Sequence, residues 1–130
     1  MQNMKVLIAD DHEMFRTECA NFISEHLGAE VVAQAQDGNE AVKETLRLHP
    51  DLVLIDISMP EMSGFEAARQ IKSFSPATKV VFVTAEERRT YEAMGVLLHV
   101  DGFIYKNSIQ QELPEMLNRL QKINSKTAAL

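Results

Sequence analysis

Polar residues able to do chemistry recur at the ends of short apolar runs. Asp10 and Asp11 follow VLIA, Asp56 sits within LVLIDIS, Thr84 closes VVFVT with Ala85 after it, and Lys106 follows GFIY. Gathered in one crevice, the three carboxylates would repel one another. Unit charges about 4 Å apart interact by about 1 kcal/mol in water and about 4 kcal/mol at an effective dielectric of about 20. Such a cluster is stable only if a cation sits in it or one acid keeps its proton. The donors are hard oxygens, and His12, His26, His49 and His99 show no transition-metal spacing. That points to magnesium or manganese rather than zinc. Lys106 adds a fixed positive charge with three donors, and Thr84 adds a hydroxyl. Divalent cation, lysine and hydroxyl together form a clamp for a phosphoryl group. The Asp56 carboxylate could itself be the nucleophile, since aspartyl phosphate is an established covalent intermediate.

The elements that would position these residues follow from hydrophobic periodicity. Short apolar runs predict strands over Val6–Ala9, Val31–Ala33, Leu52–Ile57, Val80–Val83 and Gly102–Tyr105. Helical spacing predicts helices over Met14–Leu27, stopped by Gly28, and over Asn39–Leu48, capped by Asn39 and ended by Pro50. Further helices are expected over Phe65–Phe74, Glu86 to about Leu98, and Leu113–Ile123. Five strand–helix pairs predict parallel strands joined by right-handed crossovers. At this length the expected form is an α/β doubly wound five-stranded sheet, since a barrel needs about eight units, and 2-1-3-4-5 is one of the two common strand orders. Ligands of such sheets bind beyond the carboxyl ends of the strands, at the switch point between strands 1 and 3. Strands 1, 3, 4 and 5 deliver the polar residues above to that crevice. Strand 2, which lies away from it, ends in Gln34-Ala35-Gln36.

Composition bounds the function. The 130 residues leave room for one domain, and 45% apolar with 25% charged residues is a globular balance. The formal charge of −6 argues against direct nucleic-acid binding by this domain. The single cysteine, Cys19, rules out a disulfide framework and fits a reducing cytosol. On the apolar stripe of the first helix it reads as a buried, inert thiol. No apolar run is long enough to span a membrane, and acidic residues by position 10 do not suit a secretory signal. A cytoplasmic location is expected.

Over essentially its whole length the chain resembles a response-regulator receiver domain of bacterial two-component signalling. The resemblance rests on Asp10-Asp11, on Asp56 with SMPEMSG after it, on Thr84-Ala85, and on Lys106 after GFIY. A lone Asp-Asp or lone lysine would carry nothing, whereas four matches in order, each at a strand end, are specific. DDHEMFR, the GFIYK ending and the acidic start of the last helix resemble the NarL/LuxR-type subfamily, which usually carries a helix-turn-helix output domain.

The resemblance implies a flavodoxin-like (βα)5 fold, with 1–123 as the receiver and 124–130 as a tail or the start of an interdomain linker. It implies that a sensor histidine kinase phosphorylates Asp56, with small phosphodonors as further sources. Asp10, Asp11 and Asp56 would hold Mg2+, for which Mn2+ can substitute, and Ser58 would offer its backbone carbonyl. Thr84, Ala85 and Lys106 would contact the phosphoryl oxygens, and Thr84 and Phe103 would act as the switch. Ser58 and Glu86 would tune how fast the phosphoryl group is lost. The face of helix 4, strand 5 and helix 5 would pass the change to an output domain or a homodimer partner. Such a protein catalyses only its own phosphorylation and autodephosphorylation, and neither nucleic acid nor membrane is implied as a direct partner.

Each residue also has an ordinary structural reading. Asp10 and Asp11 could cap the first helix. Thr84 and Lys106 could be a plain strand-end threonine and a surface lysine, Phe103 sheet packing, and Ser58 and Glu86 solvated loop residues. Asp56 is hardest to read that way, because burying an unpaired carboxylate is costly. SMPEMSG is turn chemistry, with Pro60 presetting φ and Gly64 permitting positive φ, while Met59 and Met62 read as packing.

Three departures from the family pattern carry expectations. Asn107 stands where proline is common, which predicts a trans bond or strain at Lys106–Asn107, since a non-proline cis bond costs about 3 kcal/mol. His99 and Val100 replace a Gly-Ala pair, so the fourth helix is expected to end early, near Gly95, or to be irregular. Pro114 predicts a separate turn over Ser108–Leu113, with the last helix starting at the proline. Two rival readings remain at this point. A phosphohydrolase of the haloacid dehalogenase type needs a second aspartate two residues after the nucleophile, where Ser58 stands, and a cap domain. A degenerate receiver would act as a phosphorylation-independent docking module; the intact Asp56, Thr84 and Lys106 oppose it and an irregular helix 4 would favour it.

Overall fold

The computed structural model describes residues 3–86 and 89–129. Residues 87 and 88, inside the span expected for the fourth helix, and Leu130, at the end of the expected tail, lie outside the described residues.

Leu52–Asp56 (β3) is buried at every position, as an apolar run covered on both faces must be. It pairs in parallel with Lys5–Ala9 (β1) on one side and Lys79–Thr84 (β4) on the other. Glu30–Ala35 (β2) and Gly102–Tyr105 (β5) form the edges, giving the order β2-β1-β3-β4-β5. This is the flavodoxin-like topology that the resemblance implies, and one of the two orders that the alternation allows. The register aligns the carboxyl ends: Ala9 pairs with Ile55, Asp56 with Val83, and Thr84 with Tyr105.

Helices cover both faces. Glu13–Phe22 (α1) and Ile109–Ala129 (α5) pack on one, where Cys19, Ile23, Leu113, Leu117 and Leu120 meet Ile8, Leu54 and Val83. Gly38–Leu48 (α2), Gly64–Phe74 (α3) and Arg89–Leu97 (α4) lie on the other, over Leu7, Val53, Ile55 and Phe82. Met59 and Met62 pack against this second core, as expected.

Several local expectations are corrected. The first helix widens into a π-turn over Ile23–Leu27 before Gly28 closes it at φ 65. The cap of α2 is Asp37, whose carboxylate accepts from the Glu40 N–H at 2.8 Å, so Asn39 lies inside the helix. Gly64 does not take positive φ; Glu61 does, at φ 64. A Cβ on Gly64 would instead run into the Asp56 carbonyl oxygen and the Ile57 Cα, so close backbone approach demands the glycine.

The described part of the fourth helix does not stop at Gly95, and its carboxyl end is regular. It reaches Leu97 and closes with Val100 N–H on the Gly95 carbonyl and His99 N–H on the Val96 carbonyl. That is a Schellman motif with His99, at φ 58, in the left-handed place usual for glycine. Histidine is among the residues that visit this region more often than most. The Lys106–Asn107 bond is trans. Only Lys106–Ser108 forms a separate 3-10 turn, and α5 begins at Ile109 with Pro114 inside it. The proline withholds one hydrogen bond, at about 3 kcal/mol. Burial of Leu113, Leu117 and Leu120 returns about 1.5–3 kcal/mol each, which outweighs it. The helix is described through Ala129, across the segment expected as a tail.

Candidate functional site

Parallel pairing in register brings the ends of β1, β3, β4 and β5 to one rim, and the expected residues meet there. Asp10, just past β1, is 1% exposed, and Asp56, the last residue of β3, is 5% exposed. Asp11 is exposed beside them, and one ligand atom each from Asp10, Asp11, His12 and Asp56 lies within 4.8 Å of the others. His12 was not expected in this cluster. Spacing along the chain gave no sign of it, but its position immediately after the Asp-Asp pair could have. His12 keeps extended backbone (φ −95°, ψ 106°) at the α1 N-cap. Its Nδ1 comes 3.1 Å from Asp10 Oδ1 and 3.2 Å from Asp11 Oδ1.

Asp10 is held from behind. Its Oδ1 accepts the His12 N–H at 2.9 Å, and Arg16 Nη1 donates to its carbonyl at 2.6 Å. Lys106 reaches in from the end of β5, its Nζ 2.6 Å from Asp10 Oδ2 and 3.7 Å from Asp56 Oδ2. The ammonium also lies 4.5 Å from the centre of the Phe15 ring. The contact with Asp10 is an ion pair without hydrogen-bond alignment, so the buried Oδ2 has no hydrogen-bond donor.

Burial is the main force on Asp56, pushing its carboxyl up from 3.8 to about 6. The negative Asp10 adds to this, Lys106 opposes it, Asp11 adds further, and the Ser58 backbone N–H pulls it down by bonding to the carboxylate. The site therefore carries more acid than its single lysine can balance. That oxygen-rich, under-neutralised donor set, with an unsatisfied buried carboxylate oxygen, fits a hard divalent cation.

Thr84 is 1% exposed at the end of β4, next to the strand that carries Asp56. Its Oγ1 accepts the Glu86 N–H at 3.1 Å, fixing the start of the loop. Ala85 is exposed at the rim, Glu86 half-buried and Ser58 exposed. Phe103 lies half-buried on the α2–α4 side of the sheet. It belongs to a file of edge-to-face rings: Tyr105 to Phe103 at 5.3 Å, Phe103 to Phe82 at 6.5 Å, then Phe82 to Phe65 and Phe65 to Tyr91 at 5.4 Å each. Tyr105 Oη also donates to Glu92 of α4 at 3.1 Å, joining β5 to that helix. Away from the rim, Cys19 is buried and its thiol is pushed up to about 12 by burial and by Asp10, so it is not a reactive thiolate. None of the described helices is long and apolar enough to cross a membrane.

A family model described as the response regulator receiver domain matches residues 6–118. The response regulator protein VraR of Staphylococcus aureus is 34% identical over 121 residues, covering 92% of this chain and 57% of that protein. The chain thus spans a little over half the length of the curated relatives it matches. Among solved structures, a LuxR-family DNA-binding response regulator from S. aureus has a TM-score of 0.85 at 31% identity, over 90% of this chain and 98% of the other. The signal receiver domain of the putative response regulator NarL from Mycobacterium tuberculosis has a TM-score of 0.86 at 26% identity, over 93% and 98%. The response regulator domain of Thermotoga maritima CheB has a TM-score of 0.81 at 26% identity, over 93% and 96%.

Proposed function

The chain belongs to the response regulator receiver domain family, and from that premise we propose that it is a phosphorylation-activated switch with Asp56 as the acceptor. The observation that carries this reading is the placement of Asp56. It is a buried carboxylate at a strand end, facing two further acids and one lysine.

Asp10, Asp11 and Asp56, with the Ser58 carbonyl, would hold Mg2+ or, in its place, Mn2+. Bound there, the ion supplies the charge that lets the carboxylates coexist with incoming phosphoryl oxygens. An Asp56 oxygen attacks the phosphorus of a sensor kinase's phosphohistidine, or of a small phosphodonor. The P–N or P–O bond breaks, and its electron pair leaves with the donor. Lys106, Thr84 and the Ala85 backbone N–H bind the transferred oxygens. To do so the Thr84 hydroxyl turns toward Asp56, and Phe103 follows it along the file of rings. The face of α4, β5 and α5 then shifts within a pre-existing equilibrium and contacts an output domain or a second copy. Ser58 and Glu86 flank the acceptor and set access for the water that removes the group.

The share of its relatives that the chain covers supports a longer regulator in which residues 124–130 lead to a transcriptional output domain. In this reading the protein works in the cytoplasm, and its only chemistry is on itself. The docking-module rival drew on an irregular helix 4, and the Schellman closure at the carboxyl end of α4 speaks against it.

Intact-mass measurement after incubation with acetyl phosphate tests the proposal. One added phosphoryl group that needs Mg2+ and is absent from Asp56→Asn is the expected result. A folded wild-type protein left unmodified with every donor tried would overturn it.

A further inference from the structure

His12 is the one side chain of the cluster with no part in the chemistry above. Its Nδ1 faces both Asp10 Oδ1, at 3.1 Å, and Asp11 Oδ1, at 3.2 Å, while the side chain as a whole is 69% exposed. The extended N-cap backbone and the His12 N–H bond to Asp10 keep the imidazole over the strand end. A separate observation points to a ligand at the same place. Asp10 Oδ2, on a residue 1% exposed, has the Lys106 ammonium 2.6 Å away as an ion-pair partner but no aligned hydrogen-bond donor.

We propose that His12 is a protein ligand of the bound cation through Nδ1, and that it turns an all-oxygen site into one that favours first-row transition ions over Mg2+. The inference rests on reading Asp10, Asp11 and Asp56 as a cation site. Mg2+ takes oxygen ligands and gains little from an imidazole. Co2+, Ni2+ and Zn2+ gain substantially, and affinity for a mixed nitrogen–oxygen site rises from Mn2+ through Co2+ to Ni2+. Against the Asp10 carboxylate alone Nδ1 is the hydrogen-bond donor; ligation takes the other neutral tautomer, with the proton on Nε2 and the Nδ1 lone pair on the metal. The adjacent Asp10 and Asp11 oxygens complete the same coordination sphere without moving the strand end.

The test uses the tag-free chain, with His12→Gln and Asp56→Asn variants checked for folding by circular dichroism. Ni2+ binding is titrated in competition with Mg2+, and electron spin echo spectra are recorded with Mn2+. In His12→Gln, Ni2+ affinity should fall by at least about tenfold, the loss already typical of an outer-shell partner. Mg2+ affinity should stay within about twofold. Nitrogen-14 modulation from the bound Mn2+ should be present in the wild type and absent from His12→Gln. Mn2+ bound and weakened by Asp56→Asn, yet without nitrogen modulation, would overturn the role of His12 and leave the carboxylate site standing. Metal binding that is absent, or indifferent to Asp56→Asn, would overturn both.

Discussion

Lys106 holds its ammonium nitrogen 2.6 Å from Asp10 Oδ2 and farther, at 3.7 Å, from Asp56 Oδ2. Its charge is thus shared unequally, neutralising Asp10 first and Asp56 second. Lys106→Met should raise the Asp56 carboxyl above its value of about 6, because Lys106 is a lowering influence on it. It should also slow acetyl phosphate-driven labelling by about 10²-fold or more, as loss of one charge-stabilising donor does. Carboxyl carbon NMR and a mass time course check the two effects. An unmoved titration would mean the lysine is only a surface charge.

The raised Asp56 pKa also makes stability depend on pH. Between 3.8 and about 6 the folded chain holds a proton that the unfolded chain has lost. The stabilisation from this group is therefore fully present below pH 3.8 and is lost as pH rises through about 6. Without metal near pH 7.5, Asp56→Asn should melt at least roughly 3 °C above the wild type, the shift that about 1 kcal/mol gives in a domain of this size. The gap should narrow as pH falls below about 6. Added Mg2+ should raise the wild-type Tm and do so far less for the variant. Melting curves across pH and metal concentration decide both points.

Gly64 lies against the backbone of Asp56 and Ile57, the proposed acceptor and its neighbour. Gly64→Ala must push either α3 or the Asp56–Ile57 peptide aside. Overpacking of this kind costs about 1–3 kcal/mol. Urea denaturation should show that loss, and phosphorylation of the folded variant should slow, since the acceptor itself is displaced. A neutral result would show that the loop gives way freely.

His99 carries a left-handed backbone without being glycine. An L-residue there costs roughly 1–2 kcal/mol, so His99→Gly should stabilise the chain by about 1 kcal/mol, net of the glycine's extra freedom when unfolded. His99→Val should destabilise it. Thermal melts of the pair read the sign directly.

The strand-end acids, Thr84 and Lys106 were legible because parallel strands buried on both faces read as apolar runs, and their ends must converge. Asp56 stood out as the one charge inside such a run. His12 was not legible, because it joins the cluster through one residue's extended backbone at a helix start, which periodicity does not register. Gly64 was read as a turn glycine when the constraint is a contact with β3, set only once the sheet is assembled. Pro114 and His99 misled in the same direction. Each breaks a local preference worth a few kcal/mol at most, and each is overruled by what surrounds it. Buried leucines flank Pro114, and two backbone hydrogen bonds close the turn at His99.

The strand order has a kinetic consequence. Asp10 and Asp56 meet across neighbouring strands although about a third of the chain separates them, and Lys106 arrives from the edge strand β5. Each such closure costs entropy before any contact repays it, which makes parallel pairings slow to form. No single element assembles the acid cluster, so a cation has nothing to grip until the parallel pair β1–β3 is in place. Divalent metal should accordingly leave the refolding rate nearly unchanged and slow unfolding instead, acting as a latch on the finished sheet.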